Sequence, residues 1–139
     1  MNKEYISFRD VVEDEEKKVY YDWMHRDYRC LVTRGPVSLC AYIGVPPEHK
    51  YYGKDYNEVD LRCHYGLTYS SEGDGEIRPK GYWWFGWDYA HAGDVCFFDY
   101  GRGWWYGTEW TPDMVKFDVD EALEFIDIRW DRVVEEQDE

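Results

Sequence analysis

The sequence predicts an α+β fold, a single small antiparallel or mixed β-sheet with a C-terminal amphipathic helix packed on it. Three observations carry this. Residues 28–45 alternate apolar and polar positions on either side of a turn, residues 82–90 form a second strand-like block rich in indoles, and apolar residues recur at three- and four-residue steps from 119 to 134. A chain of 139 residues suffices for one core but not two, so a single domain over 1–139 is expected.

Taken in order, residues 10–25 (DVVEDEEKKVYYDWMH) read either as a short helix with Asp10 as N-cap or as an irregular lead-in to a strand. YRCLVTR, then Arg34-Gly35-Pro36, then VSLCAYIGV read as strand, turn and strand. In the second of these Val37, Leu39, Ala41, Ile43 and Val45 share one face. Pro46-Pro47 ends it, because proline has no ladder donor and restricts the residue before it. Residues 59–70 (VDLRCHYGLTYS) suggest a further strand, SSEGDGEIRPKG a polar excursion, YWWFGWDYA a strand and HAGD its closing turn. VCFFD reads as a short strand and YGRGWWYGTEWTP as a loop. In the final helix Val119, Ala122, Leu123, Ile126, Trp130, Val133 and Val134 form the apolar stripe, with Asp118 or Asp120 as cap and Glu121 in the first turn.

Charge narrows the function. The formal net charge is −14, and residues 103–139 hold three Lys or Arg against twelve Asp or Glu. Such a chain is repelled by phosphate backbones, so direct nucleic-acid binding is not expected. No apolar run reaches the length of a bilayer span, and MNKEYISFRDVVEDEEKK lacks the apolar run of a signal peptide, so a cytoplasmic protein without membrane attachment is expected. Cys30, Cys40, Cys63 and Cys96 form no paired spacing and read as small core residues.

Chemistry-bearing residues concentrate in His64-Tyr65-Gly66-Leu67-Thr68-Tyr69 and in Trp83 through Asp94. If the two stretches are neighbours, His64, Thr68, Asp88, His91 and Asp94 converge. Such a set serves a divalent metal, a histidine polarised by an acid for proton transfer, or a ligand held by hydrogen bonds between rings. The ligand-holding role demands the least exact geometry. No metal site is assigned, since the chain has neither H-E-x-x-H nor paired cysteines, and no cofactor is called for. A plainer use stands beside these: Asp88 caps its own loop, Gly93 supplies a positive φ, Asp94 bonds back to the backbone, and His64 is a satisfied core histidine.

Aromatic residues make up 20% of the chain, more than a core of this size needs. Trp83, Phe85 and Trp87 alternate with Tyr82, Trp84 and Asp88, and both faces of so small a sheet are not expected to be fully buried. Trp84 or Trp83 is therefore a candidate ligand platform, with Tyr51, Tyr52, Trp104, Trp105 and Tyr106 as walls. Lys54, Arg62, Arg78, Lys80 and Arg102 are candidate phosphate partners. A homodimer interface is the alternative use of the rings. His25 and His49 read as solvated loop residues, and the acidic tail (Glu135, Glu136, Asp138, Glu139) as a solvated end or, less simply, a mimic of a nucleic-acid surface.

HYGLTY and WWFGWDYAHAGD, with IGVPPEHKYYGKDY upstream, resemble a family of small bacteriophage and prophage proteins with no assigned activity. Its recurring pattern is H-G-G-L-T-[YF] followed by W-W-[FI]-G-F-D-C-A-H-A-G-D, after G-Y-V-x-V-P-x-x-H-P-x-Y-G-K-x-Y. The resemblance covers residues 42–94 and falls on Tyr52, Gly53, Lys54, His64, Gly66, Thr68, Trp84, Gly86, Asp88, His91, Gly93 and Asp94. Tyr65 stands where the family has glycine, which narrows any pocket beside His64; Tyr89 stands where it has cysteine, which argues against a catalytic thiol there. The resemblance implies a counter-defence protein acting in the host cytoplasm, by association rather than by chemistry. The expected function is capture of a small phosphorylated, nucleotide-like ligand by Tyr52, Lys54, Arg62, His64, Thr68, Trp84, Asp88, His91 and Asp94. A hydrolase or phosphodiesterase using His64 and His91, or an acidic inhibitor that binds a host defence protein directly, are the alternatives.

Overall fold

A computed structural model describes residues 5–102 and 106–137, with side chains through residue 126. Its elements are α1 (Phe8–Glu13), β1 (Val19–His25), β2 (Tyr28–Arg34), β3 (Leu39–Val45), β4 (Tyr69–Ser71), β5 (Trp83–Asp88) and α2 (Pro112–Gln137). The five strands form one antiparallel sheet in the order β1-β2-β3-β5-β4, and α2 packs across β1, β2 and β3. The expected α+β class holds, and the sheet is antiparallel. Among the described residues no helix is long and apolar enough to cross a membrane.

The core lies between sheet and helix. Leu39, Ala41, Ile43 and Val45, the alternating set of β3, meet Phe85 and Trp87 of β5 and Val115, Val119, Ala122, Leu123 and Ile126 of α2. Each buried side chain of this size removes enough apolar surface from water to contribute about 1.5–3 kcal/mol. Trp130, Val133 and Val134, the rest of the helical stripe, and the acidic tail lie outside the described side chains.

Several local expectations change. Residues 10–25 contain both predicted elements: α1 ends at Glu13 and β1 begins at Val19. The N-cap of α1 is Ser7; Asp10 is its partner in a capping box, accepting from the Ser7 backbone at 2.8 Å. Helix α2 begins a turn and a half before Asp118, because Thr111 caps it and Pro112 presets its first turn; Thr111 Oγ1 accepts from the Met114 backbone at 3.3 Å. Asp118 and Asp120 are interior to the helix. The strand read over 59–70 shrinks to Tyr69–Ser71, since Tyr65 and Gly66 adopt φ of 58° and 86°, outside the extended region. The strand read over VCFFD is a 3₁₀ turn at Phe97–Asp99, closed by the Asp99 backbone donating to Cys96 at 3.0 Å. His25 and His49 are not solvated: His25 Nδ1 lies 3.0 Å from Asp120 of α2, and His49 has Tyr28 on Nε2 and the Tyr51 backbone on Nδ1, both at 3.0 Å.

The sheet face away from α2 is also covered. Trp84 is fully buried, because the excursion after β4 folds back over it and Pro79 accepts from its indole at 2.9 Å. Asp74 holds that excursion in shape, accepting from the Glu76 and Arg78 backbones at 2.9 Å each. The Arg78 guanidinium carbon lies 4.6 and 5.0 Å from the ring centres of Tyr42 and Tyr69. Gly86 is required here, since a Cβ on it would stand 2.6 Å from the Tyr42 ring. A second buried layer of rings therefore replaces the open platform expected at Trp84.

All four cysteines are free thiols. Burial pushes Cys30 up to about 12, Cys40 up to about 11 and Cys63 up to about 12, so little of the nucleophilic thiolate is present near neutral pH. Iodoacetamide at pH 8 is expected to label the native protein more than about tenfold more slowly than the urea-unfolded chain. Equal rates, read by mass spectrometry, would contradict the burial.

Candidate functional site

The site is assembled from three turns. Downstream of β5, Gly93 (φ 90°) closes the 91–94 turn, and the Thr108 backbone donates to Gly93 at 2.8 Å and accepts from Val95 at 2.9 Å, which carries the Trp110 segment alongside. Upstream, the Cys63–Gly66 turn, closed by a 3.0 Å backbone bond, presents His64 to the same place. Asp94 sits at the centre, only 3% exposed.

Asp94 gathers donors from all three turns. His64 Nε2 lies 2.8 and 3.1 Å from its two oxygens, Trp110 Nε1 donates to Oδ1 at 2.8 Å, and the His91 backbone donates to Oδ2 at 2.9 Å. A buried carboxylate needs such partners, since an unpaired charge there costs several kcal/mol. The second imidazole is adjacent: the His64 and His91 ring centres are 5.8 Å apart. His91 Nδ1 stands 3.5 Å from Asp88 Oδ1 and 3.8 Å from Asp94 Oδ2, and it is buried without a hydrogen-bond partner among the described residues.

Each imidazole lies on a tyrosine. His64 stacks on Tyr89 at 4.6 Å and 13°, and His91 on Tyr65 at 4.4 Å and 2°. Tyr89 is tied down by Trp87 Nε1, which donates to its hydroxyl at 3.0 Å, and by Asp118, to which it donates at 2.8 Å. Burial and the nearby Asp118 carboxylate push its phenol well above the usual range, so it stays protonated. Tyr65 is 60% exposed and holds its ring over His91 by donating to the Ala92 carbonyl at 2.7 Å. It does so from a left-handed backbone that glycine adopts with less strain.

No family model, curated protein or solved structure matches the chain.

Beside His64 opens a groove of about 520 Å³, walled by Trp110 and Phe125 and bordered by Arg62, Asp118, Glu121 and Glu124. The Arg62 guanidinium lies over the Phe125 ring at 5.0 Å. A smaller recess of about 220 Å³ holds Thr68 and Asp88 between Tyr42 and Tyr69, so Asp88 borders both this recess and His91.

The structure thus brings together His64, Asp88, His91 and Asp94, places Thr68 next to Asp88, and sets Arg62 at the groove. It separates the others. Trp84 is sealed under the excursion. Tyr52 packs near Trp83, whose indole donates to the Lys54 carbonyl at 2.7 Å, so Tyr52 and Lys54 belong to a different patch. Arg78 and Lys80 are paired with Asp74 and Glu72, each at 3.1 Å. Of the expected walls, Tyr106 is exposed, and Trp104 and Trp105 lie outside the described residues. The plainer turn chemistry also holds: Asp88 accepts from the Ala90 backbone at 3.1 Å, and Asp94 from that of His91. Trp110, Tyr89 and Asp118 are not among the site residues expected from sequence, where Asp118 reads only as a helix cap. Tyr89 was the nearest to legible, standing between Asp88 and His91 as a departure from the phage pattern.

Proposed function

We propose that the protein captures a small phosphorylated, nucleotide-like ligand in the groove beside His64, as a counter-defence protein of the phage kind working in the host cytoplasm. The observation that carries this reading is a groove with an indole and a phenyl wall that is lined by His64, whose ring stacks on Tyr89 and has the His91 ring 5.8 Å away. Flat rings suit a base, imidazole N–H groups suit phosphate oxygens, and Arg62 adds a cation. Calorimetry against cyclic and linear nucleotides, in buffer free of chelator, is expected to give one-to-one binding that weakens at least about tenfold in His64→Ala. Silence across the whole panel removes the reading.

A second reading is favoured by one specific contact. His64 Nε2 against a buried carboxylate is the arrangement that orients an imidazole as a base, with His91 beside it as an acid, so the ligand would be cleaved. Heat-denaturing the complex decides between the two: a capturing protein returns its ligand intact, whereas an enzyme returns products.

A further inference from the structure

We propose that His64, His91 and Asp94 form a binding site for one divalent transition-metal ion of the zinc type. One ligand atom from each of the three lies within 4.8 Å of the others. A four-coordinate ion with bonds of about 2.1 Å holds its donors roughly 3.4 Å apart. Two observed separations bracket that value, 2.8 Å from His64 Nε2 to Asp94 and 3.8 Å from Asp94 to His91 Nδ1, and Asp88 borders the cluster 3.5 Å from His91 Nδ1. Two imidazoles and one or two carboxylates are the donor set that borderline divalent ions take.

The independent observation is His91 Nδ1. It is buried and, among the described residues, has no hydrogen-bond partner, although two carboxylate oxygens stand 3.5 and 3.8 Å away. A buried polar atom without a hydrogen-bond partner is destabilising, and an ion between these groups removes that cost. The outer shell is also in place. Asp94 is oriented by Trp110 and by the His91 backbone, and both rings are clamped by stacking, which is how proteins fix ligands for a metal. The ion bonds the Nε2 lone pair of His64 in the tautomer that carries its proton on Nδ1, so the imidazole is a neutral donor and gives up its Nε2 contact with Asp94.

Such an ion also answers a difficulty in the groove. Among the described residues Arg62 is the one Lys or Arg lining it, against Asp118, Glu121 and Glu124, a poor setting for phosphate. A dication at the His64 end supplies the missing positive charge. This consequence rests on the capture reading, whereas the metal site does not.

Titration with Zn²⁺ and, spectroscopically, with Co²⁺ tests the site on the 139-residue chain. The expected result is one ion per chain, visible-region cobalt bands of a four- or five-coordinate centre, and a rise in Tm with Zn²⁺. His91→Ala is expected to weaken binding at least about tenfold and abolish that rise. His91→Gln gives the same comparison should the alanine variant not fold. Absence of binding by the native protein, or an unchanged affinity in a folded His91 variant, overturns the proposal. Tight metal binding with no nucleotide response would instead remove the capture reading and leave the metal site standing.

Discussion

Asp94→Ala is expected to destabilise the protein by about 3 kcal/mol or more and to lower Tm by roughly 10 °C. The carboxylate is the shared acceptor of His64, the Trp110 indole and the His91 backbone, and it is buried, so its removal strands three donors at once. Asp94→Asn is expected to fall between, because the amide still accepts on one oxygen but turns an N–H₂ toward a second donor. Thermal melts followed by circular dichroism measure this. A native Tm in Asp94→Ala would mean that the three turns are held together by something other than this carboxylate.

Trp84→Ala carries the other large effect, about 3–5 kcal/mol. The indole is fully buried between the sheet and the 72–81 excursion, and its N–H is matched by the Pro79 carbonyl. The expected outcome is a lower midpoint in urea, with nucleotide binding in the folded fraction unchanged. The open-platform reading requires the opposite: full stability and lost binding. Trp84→Phe keeps most of the apolar volume and is expected to lose less.

The fold was largely legible because its signals are local. Alternation in Leu39, Ala41, Ile43 and Val45 names a strand with one buried face, and Pro46-Pro47 marks its end, whatever lies across from it. The three- and four-residue recurrence from Val119 to Ile126 names a helix and its inner face. Helix boundaries were less legible, since Asp118 and Asp120 look like caps to a reader who cannot see that Thr111-Pro112 already started the helix.

The site divides in the same way. His64, Asp88, His91 and Asp94 stood out because their residue types cluster in two short stretches, and the structure brings those stretches together. Trp84, Tyr52 and Lys54 stood out equally and lie elsewhere. Strand alternation says which side of the sheet Trp84 is on, but not that a polar, glycine-rich excursion will bury that side.

From its sequence alone this chain commits to an antiparallel strand pair, an indole-rich strand and a long amphipathic helix, because period and turn chemistry act over a few residues. Only the tertiary structure decides that His64 meets Asp94 across thirty residues of chain, that Trp110 joins them, and that His91 Nδ1 is buried with no hydrogen-bond partner among the described residues. The physical reason is that hydrogen-bond satisfaction of a buried charge is a property of everything packed around it, and no local pattern encodes who those neighbours are.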